Sequence, residues 1–269
     1  MNEIKHQDLN ELTEEIIIIS KEAGNKILEV YETDFSVENK EDNSPLTAAD
    51  MAAHNTICQA LKKLTPNTPL LSEESSEISF AERQSWQQYW LIDPLDGTRE
   101  FVKRNGEFSV NIALIEKQKS ILGVIHIPVS GTTYYASLNN GAYKHKPEQE
   151  VERISARKTT LKNITIAGSR SHGNQQQRDL IEKLDNPETL AIGSSLKFCL
   201  VAEGLADIYP RFGPTSEWDS AAAQCIVEEA GAIVVDTNFK TLEYNTKESL
   251  LNPSFLVIAD KEFNWSQFL

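Results

Sequence analysis

The chain has 269 residues, of which 40% are hydrophobic and 25% are charged, a composition typical of a globular protein. That length allows one large domain or two small ones that share an interface. The formal net charge of −14 repels nucleic acids and anionic membranes, which argues against a protein that binds polymeric DNA or RNA. No apolar run approaches the roughly 18 residues that cross a bilayer, so we expect a cytoplasmic protein with three reduced cysteines.

The first half of the chain predicts two helices followed by an antiparallel sheet. Apolar residues spaced three or four apart predict a long helix over residues 6–31. A second helix is predicted to begin near Thr47, an N-cap candidate with Asp50 three positions later, and to end at about Leu64. Three segments of period-two alternation within residues 107–138 indicate an antiparallel meander.

The stretch from Trp90 to Thr98 is the most informative part of the sequence. An apolar run ending at Ile92 predicts a buried strand, and Asp93 and Asp96 follow it in a turn that contains proline and glycine. A carboxylate directly after a buried strand is costly to desolvate without a partner. Carboxylates and backbone carbonyls are the ligands that Mg²⁺ prefers. The turn therefore suggests a metal-dependent phosphatase.

The second half of the chain alternates between predicted strands and helices. Strands are predicted at 164–167, 190–192, 206–209, 233–235 and 255–258, with helices at 174–184, 194–204 and 217–231. We therefore expect two subdomains, an α+β part over 1–150 that carries most metal ligands and an α/β part over 151–269.

Three further acidic residues stand at the boundaries of predicted elements, and each has an ordinary structural explanation. Asp50 and Asp219 fit the first turn of a helix, where a negative charge stabilises the dipole. Glu73 fits a solvated loop at the end of a short strand over residues 69–74. Taken one at a time, these residues do not indicate a site.

Taken together, four sequence blocks resemble the inositol monophosphatase-like, lithium-sensitive phosphatases. The blocks are Thr47-Ala-Ala-Asp50, Ser72-Glu-Glu74, Asp93-Pro-Leu-Asp-Gly-Thr98 and Glu217-Trp-Asp-Ser-Ala-Ala222, in the order of that family. Within the family, the segments Gly97–Leu114, Gly193–Gly204 and Tyr209–Thr215 are similar to 3'(2'),5'-bisphosphate nucleotidases of the CysQ type. The resemblance implies a layered αβαβα sandwich.

The resemblance also implies the roles of the acidic residues. Glu73, Asp93 and the Leu95 carbonyl would hold one Mg²⁺, and Asp93, Asp96 and Asp219 a second, with a third ion near Glu73. Thr98, backed by Asp50, would accept the proton of the attacking water. Two ions about 3.5–4 Å apart can stabilise both the attacking and the leaving oxygen of an in-line displacement.

The substrate residues follow from the same resemblance. Asp96, Gly97 and Thr98, with Asp219, would contact the scissile phosphate. The remaining contacts to the nucleotide would come from Ser169, His172, Gly193, Lys197 and Arg211. An inositol phosphatase typically has a glutamate in the Arg211 region, whereas a guanidinium suits a second phosphate because it binds phosphate in a bidentate manner.

The expected reaction is Mg²⁺-dependent hydrolysis of the 3'-phosphate of adenosine 3',5'-bisphosphate to AMP and phosphate, together with the corresponding sulfated nucleotide. Hydrolysis of inositol or sugar monophosphates is the alternative on the same fold, and a catalytically inert binding protein is a third reading. That third reading expects a missing metal ligand, and none is missing in the sequence. Lithium inhibition, a role in sulfur metabolism and loose association with the inner face of the membrane are implied by the resemblance alone, and the oligomeric state is left open.

Overall fold

The computed structural model describes residues 4–5, 8–33, 45–168, 175–184 and 187–268. The α-helices in this part of the chain are α1 (Leu9–Tyr31), α2 (Pro45–Leu64), α3 (Phe80–Arg83), α4 (Thr98–Val102), α5 (Gln175–Lys183), α6 (Leu196–Ala202) and α7 (Glu217–Glu229). The strands are β1 (Leu70–Ser72), β2 (Gln88–Asp96), β3 (Ser109–Glu116), β4 (Lys119–Ile127), β5 (Thr132–Ser137), β6 (Gly141–His145), β7 (Glu152–Ile154), β8 (Thr165–Gly168), β9 (Glu188–Ala191), β10 (Ile208–Arg211), β11 (Ile233–Asp236) and β12 (Phe255–Ile258).

The first sheet has seven strands in the order of the sequence, from β1 to β7. β1 pairs with β2 in parallel, and every later pair is antiparallel. The predicted meander over 107–138 is confirmed, but it continues into β6 and β7, which the polar sequence around residues 144–150 did not suggest. Because β7 lies within this sheet, the sheet extends to Ile154, and the division into two subdomains stays a prediction.

The second sheet has five strands in the order β11-β12-β10-β8-β9, with parallel pairs on one side and antiparallel pairs around β12. Each of the five strands predicted in the second half of the chain is present, with ends shifted by up to two residues. The three predicted helices correspond to α5, α6 and α7. Strands and helices therefore alternate along the second half of the chain, as the sequence predicted.

The two sheets and the helices form the predicted αβαβα sandwich. α1 and α2 pack on one face of the seven-stranded sheet, while α6 and α7 lie between the two sheets. Leu180 of α5 and Trp265 belong to the apolar cluster on the far face of the five-stranded sheet. α7 approaches β4 so closely that a Cβ atom at Gly123 would lie 2.1 Å from the carbonyl oxygen of Ala222, so only glycine fits there. This close contact holds the second turn of α7 against the sheet.

The long helices α1 and α2 cover the sheet with one apolar face each. In α1 the buried residues include Leu9, Ile16 and Ile27, which follow the predicted helical spacing. The helix begins at Leu9 rather than at residue 6, and residues 6–7 lie outside the described part. None of the helices in the described residues is both long enough and apolar enough to cross a membrane.

Two local predictions were wrong. α2 already includes Pro45, so Thr47 lies within its first turn rather than at its N-cap; proline is well suited to the first helical position because its fixed φ matches the helix. β2 does not end at Ile92 but continues through Asp93 to Asp96, with an irregularity in its pairing to β3 between these two residues. The aspartates therefore belong to the sheet, and the bulge sets their directions.

Candidate active site

The centre of the site is the carboxyl end of β2. Asp93 is 1% exposed, and its Oδ1 accepts a hydrogen bond of 3.1 Å from the backbone N–H of Leu95. The register of the sheet places Asn111 of β3 opposite Asp93 and Ser109 opposite Asp96. Polar side chains on two neighbouring strands thus face the same buried position. Such a position is costly for an ionised carboxylate unless a cation joins it.

Two more carboxylates approach Asp93 from distant parts of the chain. One oxygen each from Asp93, Asp96 and Asp219 lie within 4.8 Å of one another, which is close enough to share an ion. Glu73 lies beside this group: burial, followed by the charges of Asp219, Glu74 and Asp96, raises its pKa. Glu73 belongs to a short 3₁₀ helix, Glu73–Ser75, directly after β1. The four predicted metal-binding carboxylates therefore converge.

Asp219 also has the structural role that its position in the sequence suggested. It is the third residue of α7, and its Oδ2 accepts a hydrogen bond of 2.8 Å from the backbone N–H of Ser216 in a capping box. This interaction fixes the side chain at the helix end that faces β2. The capping role and the proposed metal-binding role are compatible, because a carboxylate has a second oxygen.

Burial and the repulsion of neighbouring carboxylates raise the pKa values of Glu73, Asp93 and Asp219. Burial, followed by repulsion from Asp219, raises the pKa of Glu73 to about 7, and burial with repulsion from Asp96 raises the pKa of Asp219 to about 6. Burial, followed by the charge of Asp96, raises the pKa of Asp93 well above its ordinary value. Like charges in a buried site destabilise one another unless a cation neutralises them. This set of carboxylate oxygens therefore fits a divalent metal ion.

Asp50 lies beside this cluster, at the inner face of α2. Burial, followed by the charge of Glu74, raises its pKa to about 8, and its Oδ1 has no hydrogen-bond partner. In the described part of the chain no hydrogen bond joins Asp50 to Thr98, whose side chain is exposed in the cavity. Catalytic hydrogen bonds are often long before substrate binds. The relay from Thr98 to Asp50 stays a prediction.

A cavity of about 470 Å³ opens in front of the acidic cluster. Asp96 and Asp219 line it and are here called the acidic wall; Lys197 of α6 and Arg211 of β10 also line it and are called the cationic wall. Lys197 is 7% exposed, and its Nζ donates hydrogen bonds to the carbonyl oxygens of Ser194, at 2.7 Å, and Ile192, at 3.4 Å. Arg211 donates to the carbonyl oxygen of Pro214 at 2.8 Å, and its Nε is buried without a partner. Both cations lie where an anionic ligand would contact them.

Gly97 and Gly193 shape the floor of this cavity. Gly97 has φ of +95°, and a Cβ atom there would lie 3.1 Å from the carbonyl oxygen of Glu107, so a side chain would be both strained and crowded. The backbone N–H of Gly193 donates a 2.9 Å hydrogen bond to Oε2 of Glu107. Thr98 follows Gly97 as the first residue of α4. These contacts hold the loop before α6 against the turn after β2.

Several residues of the site were missed from the sequence. Tyr209 and Thr215 line the cavity, and the Oγ1 of Thr215 is buried without a partner. Ser109 and Asn111 alternate with the apolar residues of β3 and share one face of the strand, where both side chains are buried. The sequence alone gave no sign that this polar face is buried. Ser169 and His172, predicted to contact the nucleotide, lie outside the described residues.

The sequence profile of the inositol monophosphatase family matches residues 8–264. The chain belongs to this family. Its phosphatases depend on metal, generally Mg²⁺, which agrees with the carboxylate cluster of this chain.

Similar proteins carry a more specific name. The chain is 48% identical to the 3'(2'),5'-bisphosphate nucleotidase CysQ of Salmonella typhimurium, over 91% of this chain and 99% of that protein. It is 40% identical to the Haemophilus influenzae protein of the same name, over 96% of both chains. The crystal structure of CysQ from Bacteroides thetaiotaomicron matches with a TM-score of 0.84 at 41% identity, covering 93% of this chain and 97% of the other.

An inositol monophosphatase from Zymomonas mobilis shares the fold at lower sequence similarity. It matches with a TM-score of 0.78 at 22% identity, over 97% of this chain and 96% of the other. Such a match supports the layered architecture and carries no information on the substrate.

Proposed function

We propose that this protein is a Mg²⁺-dependent 3'(2'),5'-bisphosphate nucleotidase that hydrolyses the 3'-phosphate of adenosine 3',5'-bisphosphate to give AMP and inorganic phosphate. The observation that carries this proposal is a single cavity with a carboxylate cluster on one wall and two cations, Lys197 and Arg211, on the other. The names of the relatives at 40–48% identity support the same reaction. The sulfated nucleotide that carries the same 3'-phosphate is a second expected substrate.

The acidic wall would hold the metal and the reacting phosphate. Glu73, Asp93 and the carbonyl of Leu95 would bind one Mg²⁺, Asp93, Asp96 and Asp219 a second, and a third ion would sit near Glu73. When bound, such ions stabilise charge on the phosphoryl and leaving oxygens and make water a stronger nucleophile near neutral pH. Asp93 would contact two ions at once because it lies at the centre of the cluster.

The other residues on this wall would position the phosphate and move a proton. The backbone N–H groups of Gly97 and Thr98 would donate hydrogen bonds to the scissile phosphate, as exposed N–H groups at a turn can. The hydroxyl of Thr98 would accept the proton of the attacking water and pass its own to Asp50. Burial, followed by the charge of Glu74, raises the pKa of Asp50, so its ionised carboxylate is a stronger base than that of an exposed aspartate.

The cationic wall would select the nucleotide. Lys197 and Arg211 donate hydrogen bonds to backbone carbonyl oxygens, and neither forms an ion pair within the described part of the chain. Charge-assisted hydrogen bonds from these groups would bind the second phosphate, which an inositol monophosphate lacks. Gly193, Ser169 and His172 would complete the contacts to the nucleotide, and a cytoplasmic location fits this soluble substrate.

A phosphate-release assay over a panel of substrates tests the proposal. The panel contains adenosine 3',5'-bisphosphate, its sulfated form, adenosine 3'-monophosphate and inositol 1-phosphate, each with Mg²⁺ and with a chelator. We expect turnover that requires Mg²⁺ and favours the two bisphosphorylated nucleotides. Equal activity on inositol 1-phosphate would favour the alternative substrate class, and tight nucleotide binding with no turnover in millimolar Mg²⁺ would favour an inert binding protein.

A further inference from the structure

The loop Ser194–Ser195, directly before α6, donates several hydrogen bonds to one oxygen of Asp96. Oδ2 of Asp96 accepts hydrogen bonds from the Ser194 hydroxyl at 2.5 Å, the Ser195 backbone N–H at 2.6 Å and the Ser195 hydroxyl at 2.6 Å. The three donors come from a segment about 100 residues away in sequence. A carboxylate oxygen with three short hydrogen bonds has no lone pair left for a metal, so an ion bound by Asp96 must use Oδ1.

Ser195 also connects Asp96 with the helix that carries Asp219. Its hydroxyl lies 2.8 Å from the carbonyl oxygen of Asp219, and the amide of Asn111 donates to it at 2.9 Å. A hydroxyl has a single proton, which it can share between the carboxylate and the carbonyl. The side chain of Ser195 thus lies between two proposed metal-binding residues, Asp96 on β2 and Asp219 on α7.

Two local features indicate that the hydroxyl groups of this loop orient Asp96 and do not cap α6. Ser195 occupies the N-cap position of α6, where a serine hydroxyl usually accepts a hydrogen bond from the helix, yet it makes no such bond. Ser194 adopts a φ of +52°, a conformation that is uncommon for residues other than glycine. Strained backbone of this kind persists where surrounding contacts hold it, often at functional sites.

We propose that Ser195, assisted by Ser194, is a positioning residue for metal binding: it turns Asp96 so that Oδ1 faces the ions and holds it at a fixed distance from Asp219. The inference rests on the proposed metal-binding role of Asp96. The same loop accepts the hydrogen bond of Lys197 through the carbonyl oxygen of Ser194, so the nucleotide-binding cation and the metal-binding carboxylate share one support.

Equilibrium binding of Mn²⁺, followed by the electron paramagnetic resonance signal of the free ion, tests this without relying on activity. Replacing the groups that orient metal ligands typically lowers metal affinity by about 10- to 100-fold. We expect Ser195→Ala to weaken Mn²⁺ binding by that factor and Ser194→Ala by less. The control is Ser120→Ala, a buried serine of β4 whose hydroxyl has no partner and lies outside the site; it should bind Mn²⁺ like the wild type.

Kinetics provide a second readout that a general loss of structure would not produce. Ser195→Ala should raise the Mg²⁺ concentration needed for half-maximal rate, while kcat at saturating Mg²⁺ and KM for the nucleotide change by less than about threefold. Ser195→Thr, which keeps the hydroxyl, should restore most of the Mn²⁺ affinity. If Ser195→Ala does not fold, Ser194→Ala carries the test, since Ser194 is only half-buried.

The possible failures are distinguishable. Unchanged Mn²⁺ affinity in both serine variants, with weakened binding in Asp96→Asn, would overturn the positioning role and leave the proposed function intact. Unchanged Mn²⁺ binding in Asp96→Asn would instead remove the metal role of Asp96 itself. An equal loss of Mn²⁺ affinity in Ser120→Ala would show that weaker binding follows from general destabilisation of the protein, and it would also overturn the proposal.

Discussion

The two walls of the cavity differ in charge and in the way the chain builds them. The acidic wall collects carboxylates from β2, the first turn of α7 and the 3₁₀ helix after β1, and burial together with mutual repulsion raises the pKa values of Glu73 and Asp219. The cationic wall consists of Lys197 of α6 and Arg211 of β10, which donate hydrogen bonds to backbone carbonyl oxygens. The comparison suggests that the chemistry resides on one wall and the choice of substrate on the other. Substitutions on each wall should therefore have separable kinetic effects.

Asp93→Asn should give the largest effect, because it removes the carboxylate at the centre of the acidic wall. Metal ions contribute several kcal/mol to the stabilisation of the transition state, so kcat should fall by about a thousandfold or more. The measurement is phosphate release from adenosine 3',5'-bisphosphate at saturating Mg²⁺. We expect the loss for every substrate of the panel, since all share this wall.

Asp236→Asn is the matched control for that experiment. Asp236 is a half-buried aspartate outside the site whose Oδ1, like that of Asp93, accepts backbone N–H groups, here from Asn238 and Lys240. This variant should keep the wild-type rate. A residual rate within tenfold of wild type in Asp93→Asn would contradict the central role of this carboxylate.

Arg211→Ala should change substrate preference rather than chemistry. Hydrogen bonds to charged groups contribute about 1.5–3 kcal/mol, so kcat/KM for adenosine 3',5'-bisphosphate should fall by about 10- to 150-fold. The value for adenosine 3'-monophosphate, which lacks the second phosphate, should change little. Arg178→Ala, on the exposed face of α5, is the control. An equal fall for both nucleotides would show that Arg211 does not distinguish them.

The fold followed from the sequence where hydrophobic periodicity was strong. The alternation of β3 to β5 and the spacing in α1 gave the correct elements, because apolar residues recur at the period of a strand or a helix along each of them. β6 and β7 lacked such a pattern, since β6 is only partly buried and β7 has three residues. β2 was cut short at Ile92 because charged residues normally end a buried strand, and here the sheet carries Asp93 inward instead.

The site was only partly accessible from the sequence. The carboxylates were found because each occupies a recognisable block, and the structure brings Asp93, Asp96 and Asp219 together, while their metal-binding role stays a prediction. Ser195 was missed because its role depends on contacts with Asp96 and Asp219, which no local pattern reveals. The same holds for Thr215, whose buried hydroxyl becomes notable only beside Arg211 in the cavity.

The smallest expected effect is on stability: the melting temperature should depend on pH differently in the metal-free and the metal-bound protein. A carboxyl group whose folded-state pKa is raised favours the folded protein when protonated, so that its contribution is lost as pH rises through that pKa. For Asp219, Glu73 and Asp50 the values are about 6, 7 and 8. The melting temperature of the chelator-treated protein should therefore fall from pH 5 to pH 8, by about 2–4 °C per pH unit for each proton released.

Mg²⁺ should oppose this fall, because metal binds the deprotonated carboxylates and so stabilises the folded protein most at high pH. The rise in melting temperature on adding Mg²⁺ should accordingly be larger at pH 8 than at pH 6. Glu217→Gln is the control. Burial raises the pKa of Glu217 to about 7, as for the carboxyl groups of the site, but its Oε2 accepts a hydrogen bond from the backbone N–H of Asn245 and the residue is not part of the carboxylate cluster. This variant should flatten the pH dependence without altering the Mg²⁺ increment, whereas Asp93→Asn should remove much of that increment. An increment that does not depend on pH would mean that these carboxylates are not the groups that bind the metal.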